Sequence, residues 1–272
     1  MAEQGKQGTL IIIGGKEERD PRGERTILRE VARRVRRGKL VLATVASHKP
    51  EGYFDEYEKA FEDLEIGELV ELYLHDRAEA WNNEKLKVLD DAAGVFFSGG
   101  DQLRITSQIG DTGIEAKVRS LYERGGVIAG TSAGAAVMSE TMLVKGTSRE
   151  THRIGDLHMG AGLGLIPDVI VDQHFAERGR FGRLLGAVAH NPRLLGMGID
   201  ENTAAVVEGR YLEVIGAGAV YIVDGGKCSY SNVADAETEV TLAMHDITVH
   251  VLAEGNSFDL DKRRPYPPRR DR

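Results

Sequence analysis

The sequence has few of the features that mark secreted, membrane or nucleic-acid-binding proteins. A single cysteine, Cys228, among 272 residues excludes an intramolecular disulfide and is typical of a reducing compartment. No apolar run is long enough to span a membrane, and the first one, residues 10–13, is too short for a signal peptide. We therefore predict a soluble cytoplasmic protein that has no membrane partner.

The chain also lacks an excess of positive charge. Its formal net charge is −8, from 35 Lys and Arg residues against 43 Asp and Glu residues. Binding to nucleic acid needs a basic surface, so nucleic acid is not an expected partner. The basic segment "RTILREVARRVRRGK" has apolar residues at helical spacing, and its arginines are typical of a solvated helix face.

Short apolar runs alternate with amphipathic helical segments over the first half of the chain. The runs "TLIIIGG", "KLVLATVAS", "LVELYLH", "GVFFSGG" and "GVIAG" are typical of buried strands. This alternation predicts an α/β fold, a mostly parallel central sheet with helices on both faces in a three-layer sandwich. The later runs "YLEVIGAGAVYIVDGG" and "DITVHVLAEG" have hairpin spacing and predict antiparallel strands at the end of the sheet.

No internal repeat or low-complexity linker divides the sequence, so we predict one α/β domain over residues 1–272. The final residues, 262–272, are rich in proline and arginine and predict a flexible tail. In sheets of this kind, ligands bind at the carboxyl ends of the strands. Functional residues are therefore expected directly after the apolar runs.

The segment "VIAGTSAGAAVM", residues 127–138, carries the pattern G-x-S-x-G around Ser132. The two glycines permit the sharp strand-to-helix turn that presents a nucleophilic serine, and the flanking runs supply the strand and the helix. A turn that merely needed small residues is the alternative. If Ser132 is the nucleophile, the backbone N–H of Ala133 is one oxyanion donor. Gly100 in "FFSGGDQ" is a candidate for the second, although chain geometry alone explains that glycine equally well.

A serine nucleophile needs a base within hydrogen-bond reach and an acid that orients the base. Among eight histidines, His174 is the best placed, because it ends the strand-like run "DVIVDQHF". For the acid, "LLGMGIDENTAAVV" offers Glu201, with Asp200 as its main rival. An α/β-hydrolase would instead place the acid before the histidine, and would need a base from "MHDITVHVLAEG", which alternates like a half-buried strand.

Three arginines directly follow His174 in "DQHFAERGRFGR". Arginine pairs with carboxylates in a bidentate manner, which suits an acidic substrate. On spacing alone, a solvated helix face is a slightly better explanation. No group of His, Cys and carboxylate residues has the spacing of metal ligands, and we expect neither a metal nor another cofactor.

Four motifs, "FFSGGDQLRI", "GTSAGAAVMS", "VDQHFAERGRFGRL" and "GIDENTA", occur in an order that resembles the cyanophycinases, within the dipeptidase E group of serine peptidases. The resemblance extends from "IIIGGKEERD" to the C-terminal strands. It implies a flavodoxin-like fold related to class I glutamine amidotransferases, and a homodimer. It also implies an exopeptidase that hydrolyses cyanophycin, a polyaspartate with an arginine on each side-chain carboxyl, to β-Asp-Arg dipeptides.

The resemblance also implies residue roles. Ser132 would be the nucleophile of an acyl-enzyme mechanism, with His174 as base and Glu201 as orienting acid. Gly100 and Ala133 would be the oxyanion donors. An acid, Asp101 or Asp172, would hold a substrate guanidinium, and arginines would hold substrate carboxylates. The motif positions that would line the pocket are Asp101, Gln102, Asp172, Gln173, Arg178, Arg180, Arg183 and Asn202.

Three other functions stay open at this point. An α-aspartyl dipeptidase would use the same fold and triad on small Asp-X peptides. An α/β-hydrolase esterase would depend on His245 or His250 in place of His174. A non-catalytic α/β binding protein would keep the elbow only as scaffold.

Overall fold

The computed structural model of the chain describes residues 7–48, 50–145, 157–234 and 240–266. The α-helices of these segments are α1 (Thr26–Val35), α2 (Tyr53–Phe61), α3 (Asn83–Lys87), α4 (Gln102–Ile109), α5 (Gly113–Glu123), α6 (Ala133–Ala136) and α7 (Phe181–His190). The strands are β1 (Thr9–Ile13), β2 (Lys39–Ala43), β3 (Glu68–Leu72), β4 (Ala92–Phe97), β5 (Val127–Thr131), β6 (Thr141–Lys145), β7 (His158–Ala161), β8 (Val169–Gln173), β9 (Leu195–Ile199), β10 (Thr203–Glu208), β11 (Tyr211–Gly216), β12 (Val220–Asp224), β13 (Tyr230–Ser231), β14 (Met244–His245), β15 (Thr248–Leu252), β16 (Ser257–Asp259) and β17 (Arg264–Tyr266).

A central sheet has the strand order β17-β16-β11-β10-β1-β5-β4-β2-β3. Its five strands β1 to β5 run parallel. Beyond β1 the sheet continues with β10, β11, β16 and β17, and each of these strands is antiparallel to the one before it. All five residues of β1 and of β5 are buried, as expected for central strands that are covered on both faces. The prediction of an α/β fold with a mostly parallel central sheet is confirmed.

Helices cover both faces of the parallel part. On one face, the apolar stripe of α1 packs with α2 against β1, β2 and β4. The arginines of α1 lie on its other side, where Arg33 and Arg34 pair with Glu30, so this segment is the helix with a charged face that the sequence indicates. On the opposite face of the sheet, α4, α5 and α6 contribute to the largest apolar cluster.

A second sheet, in the order β15-β12-β9-β8, was not predicted. Its strands β8 and β9 are parallel, β12 is antiparallel to β9, and β15 at the edge is antiparallel to β12. Residues of this sheet, such as Val171 and Ile222, belong to the same apolar cluster as Ile12 of the central sheet. The outer side of the second sheet is covered by α7, which packs Leu184 and Val188 there.

Residues 262–266, the first part of the predicted flexible tail, have defined structure. Arg264–Tyr266 forms β17 and pairs with β16 at the edge of the central sheet. The hydroxyl of Tyr266 donates to Oδ2 of Asp259 at 2.9 Å, and Lys262 pairs with the same carboxylate at 3.0 Å. These polar contacts explain why the prediction from composition differs from the structure at 262–266. Residues 267–272 lie outside the described residues.

Candidate active site

Ser132 occupies a strained turn between β5 and α6. Its φ of 53° lies in the left-handed region, which non-glycine residues adopt where the surrounding structure holds them. A Cβ on Gly130 would lie 2.4 Å from the carbonyl oxygen of Gly134, and a Cβ on Gly134 would lie 2.3 Å from that of Phe97. Both positions therefore need glycine, because strand and helix approach each other too closely for any side chain.

His174 and Glu201 meet Ser132 at the ends of strands from the second sheet. His174 directly follows β8, and its Nε2 lies 2.9 Å from Oγ of Ser132. Its Nδ1 lies 2.7 Å from Oε1 of Glu201, which is the second residue after β9. The imidazole and carboxylate side chains are only 7% and 17% exposed. Hydroxyl, imidazole and carboxylate thus form a hydrogen-bonded chain of the kind that activates a serine in acyl transfer.

The surroundings of His174 and Glu201 favour a neutral imidazole beside a charged carboxylate. Burial lowers the pKa of His174 below its ordinary value of 6.5, and the hydrogen bond to Glu201 opposes that shift only in part. The positive charges of Arg178 and Arg180 lower the pKa of His174 further. Burial raises the pKa of Glu201, but hydrogen bonds from Lys16 and His174 outweigh it and leave that pKa below its ordinary value. His174 is accordingly able to accept a proton at neutral pH.

The candidate oxyanion donors flank the serine. Ala133 begins α6, and Gly99 lies so close that a Cβ there would be 3.5 Å from Cβ of Ser132. Gly100 has a φ of 144°, and a Cβ on it would lie 2.5 Å from the carbonyl oxygen of Ala46. No acceptor among the described residues takes the backbone N–H of Ala133 or of Gly100. Both groups are therefore able to donate to a ligand oxygen.

Four of the expected pocket residues form a buried ionic cluster instead of an open surface. Oδ2 of Asp172 accepts Nε of Arg183 at 2.6 Å, while its Oδ1 accepts Nη2 of Arg183 and, at 3.2 Å, Nη1 of Arg180. The Arg180 guanidinium also donates to the side chain of Gln173 at 2.9 Å. Asp172 is 1% exposed. It has no oxygen to offer a substrate guanidinium, so this geometry does not fit the expectation that Asp172 binds one.

The other expected pocket residues lie around the site in separate roles. Asp101 caps α4 by accepting the N–H of Leu103 at 2.8 Å, and its side chain is exposed. The amide of Gln102 donates to backbone oxygens of Leu143 and Val144 in β6, which ties α4 to that strand. Arg178 is exposed and follows His174 by four residues.

Asn202 and the rival acid Asp200 flank Glu201. The carbonyl oxygen of the Asn202 side chain accepts the N–H of Glu18 at 2.9 Å. The Asp200 carboxylate accepts the N–H groups of Ala176 and Ala219, at 2.9 and 3.1 Å, and does not reach the imidazole of His174. Asp200 therefore holds the loop after β8 and the loop before β12, the two strands that flank β9 in the sheet.

The late histidines that an α/β-hydrolase would use lie elsewhere. The ring of His245 packs against Tyr230, and the ring of His250 packs against Phe258. Neither ring makes a hydrogen bond to Ser132. The structure therefore brings His174, and neither of these two, to the serine.

The loop after β1 is a part of the site that the sequence analysis missed. The carbonyl oxygens of Ile13, Gly14 and Gly15 accept the N–H groups of Ser132, His174 and Asn202, at 3.0, 2.7 and 2.8 Å. A Cβ on Gly15 would lie 2.3 Å from Cε1 of His174, so only glycine fits under the imidazole.

The next two residues of this loop contribute side chains. Nζ of Lys16 lies 3.0 Å from Oε2 of Glu201. The buried carboxylate of Glu17 accepts the hydroxyls of Thr131 and Tyr57, both at 2.5 Å, and so holds the strand end that precedes Ser132. The rule that functional residues follow apolar runs, applied to "TLIIIGGKE", would have indicated both residues.

Among the described residues, no group of three or more His, Cys, Asp and Glu side chains is placed to hold a metal ion. No helix in the described segments is long and apolar enough to cross a membrane.

Comparison with known proteins places this chain in a family. A sequence profile described as Peptidase family S51 matches residues 10–215. A cyanophycinase of Synechococcus elongatus is 37% identical over 260 residues, which cover 94% of this chain and 80% of that protein. A cyanophycinase of Trichormus variabilis is 38% identical over 269 residues, covering 97% of this chain and 89% of that protein.

Solved structures agree on the fold. The crystal structure of a peptidase from an acI-B1 Actinobacterium superposes with a TM-score of 0.69 at 22% identity, over 94% of this chain and 98% of that one. A putative peptidase E protein from Listeria monocytogenes gives a TM-score of 0.56 at 16% identity, over 78% of this chain and 100% of that one.

Proposed function

The chain belongs to peptidase family S51 and is a serine-type peptidase, and from this premise we propose that it hydrolyses cyanophycin to β-Asp-Arg dipeptides. The observation that carries the proposal is the hydrogen-bonded chain from Ser132 through His174 to Glu201, in a sequence 37–38% identical to named cyanophycinases over nearly its whole length. We further propose that the enzyme is a cytoplasmic exopeptidase and a homodimer.

The proposed mechanism is acyl transfer through Ser132. Oγ of Ser132 attacks the scissile carbonyl carbon while Nε2 of His174 takes the hydroxyl proton, and Glu201 stabilises the resulting imidazolium. The oxyanion of the tetrahedral intermediate accepts the N–H groups of Ala133 and Gly100. Collapse breaks the C–N bond as His174 returns the proton to the leaving amine. Water then attacks the acyl-enzyme by the same route, which frees the second product and restores Ser132.

Substrate charge is matched by exposed groups near the serine. Each repeating unit of cyanophycin carries both a guanidinium and a carboxylate, so its groove needs both signs of charge. We propose that Arg178 holds a substrate carboxylate, because it is exposed and close enough for its charge to affect His174. Asp101 takes the guanidinium, since Asp172 is fully engaged by Arg180 and Arg183.

The buried cluster of Asp172, Gln173, Arg180 and Arg183 then contributes to the site through its charge. With two arginines and one aspartate, it keeps a net positive charge next to His174. Burial lowers the pKa of His174 most, and the charge of Arg180 adds to this shift toward the neutral imidazole, which is the form that acts as base. Gln173, Arg180 and Arg183 accordingly act from beneath the surface of the site and do not contact the substrate.

The test is hydrolysis of insoluble cyanophycin with identification of the products. We expect the suspension to clear and β-Asp-Arg to accumulate, and we expect Ser132→Ala to lose the activity while keeping its fold. Hydrolysis of Asp-X dipeptides without clearing of cyanophycin would favour the α-aspartyl dipeptidase. Activity that survives Ser132→Ala or His174→Ala but not His250→Ala would favour the esterase. Failure of a serine-directed reagent to label Ser132 would favour a non-catalytic protein.

A further inference from the structure

Lys16 makes a contact that the proposed mechanism does not use. Its ammonium lies 3.0 Å from Oε2 of Glu201, which is the carboxylate oxygen that His174 leaves unoccupied. The Lys16 side chain is 69% exposed, whereas that of Glu201 is 17% exposed. Burial against neighbouring residues therefore does not explain the position of this lysine, and its contact with Glu201 is its chief interaction.

The backbone that carries Lys16 is fixed on both sides. The preceding residues Gly14 and Gly15 accept backbone hydrogen bonds from His174 and Asn202, and the following residue, Glu17, is anchored by Thr131 and Tyr57. Lys16 itself has a φ of 46°, a left-handed conformation that is uncommon for a lysine. The backbone from which the Lys16 side chain reaches Glu201 is therefore held on both sides.

A cation at Oε2 of Glu201 matters for a substrate rich in arginine, because the guanidinium groups of the substrate could otherwise bind this carboxylate. A guanidinium pairs more strongly with a carboxylate than most donors do, and a bidentate pair would take both oxygens of Glu201. Such a pair would compete with Nδ1 of His174 for Oε1. The other charged residues near the triad do not prevent this, since Glu177 contacts the backbone N–H of Glu201, and Arg178 and Arg180 act on His174.

We propose that Lys16 is a positioning residue of the triad, which occupies Oε2 of Glu201 so that the carboxylate stays directed at His174 and is closed to the guanidinium groups of the substrate. The part of this proposal that concerns substrate charge rests on the proposed function. The part that concerns the orientation of Glu201 rests on the geometry of the hydrogen-bonded chain alone.

The test compares Lys16→Met and Lys16→Arg with the unaltered protein, and with Lys59→Met, which removes an exposed lysine of α2 that has no part in the site. The first readout is kcat on cyanophycin. We expect Lys16→Met to lower kcat about two- to fivefold, the range of a partly exposed ion pair. Lys16→Arg should recover only part of the lost kcat, because its guanidinium holds Oε2 but can also compete for Oε1, and Lys59→Met should leave kcat unchanged. The thermal unfolding midpoint should be the same in all four proteins, because Lys16 is exposed.

The second readout is the rate at which phenylmethylsulfonyl fluoride, a small neutral reagent, labels Ser132. It is measured in sub-denaturing guanidinium chloride and in sodium chloride of equal ionic strength. We expect guanidinium to slow labelling of Lys16→Met more than sodium does, and to act no differently from sodium on the unaltered protein and Lys16→Arg. Equal behaviour of Lys16→Met and the unaltered protein would overturn the proposal. If Lys16→Met does not fold, Lys16→Gln replaces it.

Labelling does not depend on the natural substrate, so the two proposals fail separately. If the unaltered protein labels at Ser132 but leaves cyanophycin intact, the proposed function is wrong, and the guanidinium effect still decides the role of Lys16. If cyanophycin is cleared and Lys16→Met shows neither a lower kcat nor guanidinium sensitivity, the function stands and the role of Lys16 does not.

Discussion

Replacing Glu201 by glutamine tests whether the carboxylate sets the tautomer of His174. The two side chains have nearly the same volume, but glutamine has one acceptor oxygen and one donor NH₂. Its two neighbours are the Nζ of Lys16 at 3.0 Å, which can only donate, and Nδ1 of His174 at 2.7 Å. The amide must therefore place its oxygen at one neighbour and its NH₂ at the other.

The charged neighbour decides the orientation. A hydrogen bond to a charged group is worth about 1.5–3 kcal/mol, against about 1 kcal/mol for a neutral pair. The amide oxygen should turn to Lys16, and the NH₂ should then donate to Nδ1 of His174. That arrangement puts the imidazole proton on Nε2, so this nitrogen cannot accept the proton of Ser132. A wrong tautomer in a triad lowers kcat by about 10⁴-fold, and we expect a loss of that order.

The assay is kcat on cyanophycin together with the labelling rate of Ser132, and thermal unfolding verifies that Glu201→Gln folds normally. A double variant, Glu201→Gln with Lys16→Met, isolates the cause. Without the ammonium, the amide is free to turn its oxygen to His174, so the double variant should recover activity about five- to tenfold over the single variant. A Glu201→Gln protein within tenfold of full activity, or a double variant less active than the single one, would refute the reasoning.

Three further expectations follow from contacts at the site. The pH profile of kcat/KM should rise with pH, with a midpoint below the ordinary histidine value of 6.5, because burial lowers the pKa of His174 and only the neutral ring acts as base; a midpoint above that value would contradict it. Gly15→Ala should lower kcat by about 10²-fold or more, because a Cβ 2.3 Å from Cε1 of His174 must displace the ring, and an active, correctly folded Gly15→Ala would contradict the geometry. Asp172→Asn should lower the free energy of unfolding in urea by about 3–5 kcal/mol, because it leaves Arg180 and Arg183 buried without a carboxylate, and an unchanged midpoint would argue against that cluster.

The sequence predicts strand ends well because apolar runs are local. Ser132, His174 and Glu201 were all selected by their position after such runs, and the structure brings their side chains into one hydrogen-bonded chain. The rule needs only the period and the end of each run, which neighbouring residues determine. The parallel strands β1 to β5 were predicted for the same reason.

What could not be predicted depends on pairing between distant segments. The runs that become β8 and β9 read like strands of the central sheet, and nothing in their periodicity indicates a second sheet. Asp172 lies near a strand end, as an exposed pocket acid would. Its burial follows from Arg180 and Arg183, which fold back from the start of α7 onto the end of β8. Sequence spacing gives the distance along the chain between such residues but not their orientation.

The two-sheet arrangement raises the question of how the triad keeps its geometry, since Ser132 belongs to the central sheet and its partners belong to the other. Packing between the sheets is apolar and has no direction, so it cannot by itself hold Nε2 of His174 at 2.9 Å from the serine. The end of β1 and the loop after it supply directed bonds to both sides, because the carbonyl of Ile13 accepts the N–H of Ser132 and those of Gly14 and Gly15 accept the N–H groups of His174 and Asn202. Catalytic geometry in this fold is therefore a property of the end of one central strand.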